Sequence, residues 1–160
     1  MAFLTMTATV TVNPAFLQEI KEGNHELWRS LADLRHRCSC PITTGMCRHL
    51  VNSLSEFRDQ LTLHFALEEA FGYFDEPLHV EPQLSEKAGR LRSEHQELYS
   101  ELSDLVDQAE RMFYAGQTAA LAHSFGPHFL TFDARLRDHE EQENELVWEA
   151  FNRDIGGGED

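Results

Sequence analysis

Positive charge is scarce in this chain. Thirteen lysines and arginines face 28 aspartates and glutamates across 160 residues, a formal net charge of −15. A nucleic-acid backbone calls for a basic surface, so no nucleic acid is expected as a partner. Long apolar runs are missing as well: none approaches the roughly 20 residues a membrane helix needs, so no membrane association is expected. The first twelve residues carry no Lys or Arg, the basic start of a secretory signal. Cysteine is limited to Cys38, Cys40 and Cys47, an odd number crowded into one loop. That is no disulfide framework, and it suits a reducing, cytoplasmic setting. Strand-like segments are lacking apart from the Thr and Val alternation before Asn13, so residues 1–12 are expected to form a flexible or extended arm.

What is present is helical periodicity on a chain long enough for one core. Asn13-Pro14 offers an N-cap and a first-turn proline, opening a first helix expected to reach about Arg37 with Leu17, Ile20, Leu27, Trp28, Leu31 and Leu34 on its apolar face. The second seam steps by four and three through Leu50, Leu54, Phe57, Leu61, His64, Glu68 and Phe71, fading near Pro77. The third, from about Pro82, reads Leu84, Ala88, Leu91, His95, Leu98, Leu102, Leu105, Ala109 and Met112. The fourth reads Leu121, Phe125, Phe129, Phe132, Leu136, His139, Glu143, Leu146 and Ala150, with a kink or restart expected at Gly126-Pro127. Four helices with short connections predict an all-α, up-down-up-down antiparallel four-helix bundle over residues 13–153, followed by a flexible tail at 154–160. The aromatic residues, Trp28 and Trp148 included, are expected in the core. Phe65, Phe71, Phe132 and Tyr73 are candidates for an apolar wall around any site.

Polar residues interrupt three of these seams: His64 with Glu68, His95, and His139 with Glu143. His25, at the edge of the first helix's apolar face, would add the remaining helix to the set. Burying imidazoles and carboxylates costs several kcal/mol unless they are paired or bound to metal. The repeated His-x-x-x-Glu spacing turns both side chains to one side of a helix. Helical rise brings His95 and His139 to one height about the turn at Gly116. The first helix fits less well, since His25 stands 13 residues before Cys38 while His64 stands 20 after Thr44. Four imidazoles and two carboxylates suit two metals, each taking two His and sharing both Glu. A nitrogen and oxygen set without thiolate favours iron or manganese over structural zinc.

The pattern resembles the hemerythrin-like (HHE cation-binding) family from about Pro14 to Phe151. The most specific segments are His64-Phe65-Ala66-Leu67-Glu68-Glu69 and His139-Glu140-Glu141-Gln142-Glu143. The resemblance implies a non-haem di-iron centre with His25, His64, His95 and His139 as terminal ligands and Glu68 and Glu143 bridging, completed by solvent or an oxo or hydroxo group. A ferritin-like site would use Glu-x-x-His instead. Oxygen-carrying hemerythrins have a second third-helix histidine four residues on, where this chain has Tyr99, and an Asp five residues after the fourth-helix histidine, where this chain has Glu at four. Both departures look like the four-His, two-Glu members tied to iron–sulfur repair, nitric oxide response or iron sensing. Tyr99 could fill core space, donate a hydrogen bond to a ligand, or bind iron itself.

The implied function is binding of, or reaction with, a small diatomic or peroxide ligand (O2, NO or peroxide). The alternative is a non-enzymatic iron store, donor or sensor on the same residues, and a purely structural bundle is a third reading. His79, His123 and His128 read as surface residues. The Cys38, Cys40 and Cys47 loop, flanked by His36 and His49, reads as reduced, structurally idle thiols, because C-x-C poorly matches zinc spacing.

Overall fold

The computed structural model describes residues 9–76 and 82–156. Helices α1 (Pro14–Gly23), α2 (His25–Ser39), α3 (Cys47–Leu67), α4 (Pro82–Tyr114) and α5 (Thr118–Gly156) make up most of it, with a two-stranded pairing of β1 (Thr9–Val12) and β2 (Tyr73–Glu76). The chain is mostly α-helical. Among the described residues, no helix is long and apolar enough to cross a membrane. His79 and the segments 1–8 and 157–160 lie outside the described residues. Helix α5 itself continues through residues 154–156, where a tail was expected.

The expected first helix is two. Asn13 caps α1, accepting from the Phe16 N–H at 3.2 Å, and Asn24 ends α1 and caps α2, accepting from the Leu27 N–H at 3.3 Å. Asparagine satisfies helix-end donors in a non-helical conformation that a continuous helix excludes, so Asn24 supports a break here. The Thr and Val alternation forms β1, which pairs antiparallel with β2 so that Val12 faces Tyr73 and Thr9 faces Glu76. Two strands alone are marginal. These hold because Val10, Val12 and Tyr73 are buried in one cluster with Leu84, Ala88 and Leu146.

Helix α2 packs on α3 and α5, α3 on α4, α4 on α5, and α1 on α5. The apolar core falls into two clusters. One runs from Leu27 and Leu34 through Phe57, Phe65 and Leu98 to Phe129 and Leu136. The other gathers Leu17, Tyr73, Leu91, Leu146 and the strands. Along each helix the residues between the two clusters are polar: Lys21 and Asn24, His64 and Glu68, His95, and His139, Glu140 and Glu143.

Several expected core positions lie elsewhere. The last turn of the second helix widens into a π turn, Glu68–Gly72. The extra residue in that turn rotates Phe71 off the seam, and it is exposed. Trp148 and Tyr99 are exposed too, so Tyr99 does not fill the core. Helix α5 runs unbroken through Gly126-Pro127. Gly126 is needed for packing instead: a Cβ there would come within 2.8 Å of the Cys38 carbonyl at the end of α2. Gly126→Ala should therefore push α2 off α5 and cost about 1–3 kcal/mol, the range for overpacking, as read from urea midpoints.

The cysteines are free, with Cys38 and Cys47 buried and Cys40 exposed. Burial first, and then the charge of Asp133, pushes the Cys38 thiol up to about 12. Burial also raises Cys47, whose thiol donates to the Thr43 and Thr118 carbonyls at 3.7 and 3.6 Å. A thiolate is the reactive form. An aromatic disulfide reagent should thus titrate one thiol in the native protein and all three only in denaturant.

Candidate metal centre

The polar layer between the two clusters is the candidate site. His64, Glu68 and Glu143 are fully buried, and His95 and His139 nearly so. Their ring nitrogens and carboxylate oxygens converge. His64 Nε2 lies 3.4 Å and His95 Nε2 3.5 Å from Glu68 Oε1. His95 Nε2 lies 3.4 Å from Glu143 Oε2, and His139 Nε2 lies 3.3 Å from Glu143 Oε1. The atoms form two adjoining triads, each close enough to hold a cation: His95, His139 and Glu143, and His64, Glu68 and Glu140.

His25 does not join them. It is exposed, and Asn24 and Lys21 take its place. Leu17, Lys21, Asn24, Trp28 and Leu31 step by four and three, so these residues share the inward stripe and His25 falls one position off it. Counted from the observed ends, Asn24 is 15 residues before Ser39 and His64 is 17 after Cys47, so height was never the obstacle. The missing ligand is a matter of rotation about the helix axis.

Lys21 is buried against α5. Its Nζ lies 3.1 Å from Glu143 Oε1 and donates to the Glu140 carboxylate as well. The Trp28 indole N–H donates to the Lys21 carbonyl at 2.7 Å, tying α2 to α1 beside the centre. Burial opposes the Lys21 charge, but Glu143, Glu140 and Glu68 outweigh it and raise the group to about 12. Tyr73, carried in by β2, donates its hydroxyl to Glu143 Oε2 at 2.6 Å.

Electrostatics divide the carboxylates. Burial pushes Glu68 well above the usual carboxylate range, reinforced by the charges of Glu143 and Glu140. Burial also raises Glu140 to about 7, with Glu143 adding to it. Burial would raise Glu143 too, yet the imidazoles of His139 and His95 beside it and the charge of Lys21 hold it well below that range. Burial lowers the His64 imidazole to about 4, so it is neutral at pH 7. Within the site, the buried atoms without hydrogen bonds are His64 Nε2, both Glu68 oxygens, His95 Nδ1, His139 Nε2 and Glu140 Oε1. Buried polar atoms rarely stay unpaired. Convergent imidazole nitrogens and carboxylate oxygens of this kind fit a divalent cation, and no sulfur is among them.

Aromatic rings close the site. Phe65 stacks on His95 with ring centroids 4.1 Å apart and planes 10° from parallel, and Trp28 meets His64 edge-on at 5.3 Å. Beside Lys21 and Glu140 a groove of about 750 Å³ opens to solvent, lined by Trp28, Leu31 and Trp148 among others.

Lys21, Asn24 and Glu140 are the site residues that periodicity missed, and Tyr73, expected as apolar wall, instead donates a hydrogen bond to Glu143. Lys21 and Asn24 were legible as polar members of an inward stripe. Glu140 adjoins His139 and bears no signal of its own. Tyr73→Phe should cost about 1.5–3 kcal/mol by denaturation, the worth of a hydrogen bond to a charged group. Tyr99→Phe should stay within about 0.5 kcal/mol of wild type, as an exposed position does.

Fold and site together define a mostly helical protein whose buried His and Glu groups could hold a metal ion. No protein-family model matches the chain, and no curated protein and no solved structure does either.

Proposed function

We propose that the chain is a hemerythrin-like four-helix metal protein whose centre takes two iron or manganese ions and reacts with a small diatomic or peroxide ligand. The observation that carries this reading is the pair of adjoining buried triads with unpartnered donor atoms. The closed circuit of packing, α2 on α3, α3 on α4, α4 on α5 and α5 on α2, supports the antiparallel bundle. Three histidines and three glutamates form the ligand set, with Glu140 in the role first assigned to His25.

Bound iron would supply open positions for O2, NO or peroxide and the electrons exchanged with them. The chain's own contribution is positional. Glu94 Oε1 lies 2.8 Å from His139 Nδ1 and accepts its proton, turning the Nε2 lone pair toward Glu143. Tyr73 and Lys21 orient the Glu143 carboxylate from its two ends. Phe65 and Trp28 exclude bulk water from the imidazoles, which strengthens every polar contact inside.

A store, donor or sensor of iron is favoured by one observation, Lys21. An ammonium bonded to two candidate ligands suits a centre that gains and loses metal. Anaerobic purification, metal analysis and absorption spectra before and after air separate the readings. About two retained irons with a spectrum that changes on oxidation support the redox reading. Readily lost iron with a large stability change supports storage or sensing, and no binding after anaerobic iron loading sinks both.

A further inference from the structure

The two triads are not equivalent, and the junction of α1 and α2 makes them so. On the His95, His139 and Glu143 side, Glu94 holds the Nδ1 proton of His139 and leaves Nε2 a free acceptor. Glu143 Oε2 faces His95 Nε2 at 3.4 Å with the Tyr73 hydroxyl donating to it, and Lys21 engages the other oxygen, so the carboxylate is held in place from both ends. On the His64, Glu68 and Glu140 side, two groups stand against a cation. Lys21 pairs with Glu140. Asn24 spends its side-chain oxygen on the Leu27 N–H, so its NH2 faces His64 Nδ1 at 3.0 Å and donates to it. The ring proton of neutral His64 then sits on Nε2, the nitrogen that points at Glu68.

The same contacts set the order of filling. A second divalent ion must displace the ammonium from Glu140 and move the His64 proton to Nδ1, which needs the Asn24 amide to turn. Lys21 lines the solvent-open groove, so the released ammonium has water within reach.

We infer that the centre fills in two unequal steps: one metal binds tightly at His95, His139 and Glu143, and Lys21 serves as the second cation until excess metal displaces it. This rests on the metal-centre reading above.

The test is manganese(II) titration of the full chain, with free metal measured by equilibrium dialysis and electron paramagnetic resonance separating isolated from coupled ions. Wild type should bind one manganese with the hyperfine spectrum of an isolated ion. A second should bind about 10–100-fold more weakly, the usual effect of groups that hold ligands in place. Lys21→Met should narrow that gap about tenfold. Asn24→Asp should narrow it too, since Asp caps a helix as well as Asn and accepts the His64 Nδ1 proton. If Lys21→Met does not fold, Asn24→Asp decides. Two equal sites in wild type, or a gap that survives either folded variant, would overturn the inference and leave the two-metal reading standing. No manganese bound by wild type or variants would overturn both.

Discussion

Glu143→Ala should abolish tight metal binding and destabilise the chain by about 3–5 kcal/mol, the range for breaking a buried charge pair from one side. Glu143 is where the site's contacts meet: Lys21 and His139 at one oxygen, Tyr73 and His95 at the other. Removing it leaves a buried ammonium with Glu140 alone and a buried phenol without its acceptor. For a chain of this size the melting temperature should fall by about 6–20 °C. Glu141→Ala, two residues away and exposed, should change stability by no more than about 0.5 kcal/mol. Equal metal content of the two variants would mean that the polar layer is an ordinary buried network, and equal urea midpoints would mean that the Glu143 contacts do not hold the fold.

Metal removal is the second large effect. A ligand that binds the folded chain at about a thousand times its Kd adds about 4 kcal/mol of stability. Chelation should accordingly lower the melting temperature by about 8–16 °C. His139→Ala should erase most of the difference between loaded and chelated protein, because His139 is the imidazole whose lone pair is already set by Glu94. The chelated form should still fold, since Lys21 already neutralises part of the carboxylate charge. A melting temperature that ignores both iron and chelator would refute the metal reading without touching the fold.

Much of this protein is written in short-range spacing. The steps of four and three through α3, α4 and α5 set which faces are buried, and the His-x-x-x-Glu units put His64 with Glu68 and His139 with Glu143 on those faces. Geometry within one helix needs no partner to enforce it, so five of the six expected ligands are buried together. Asn13-Pro14 likewise marked a helix start from its own chemistry.

The rest depended on partners far away in the chain. Whether α1 and α2 present His25 or the Lys21 and Asn24 pair is a rotation of one residue about the axis. The break at Asn24 and the pull of Glu140 and Glu143 on an ammonium 119 and 122 residues distant decided it. Tyr73 entered the site only because β1 pairs with β2. Phe71 left the core because one π turn shifted its direction. Periodicity within a segment determined what each helix buries. Charge complementarity and strand pairing between segments, which have no local signature, decided what those buried groups meet.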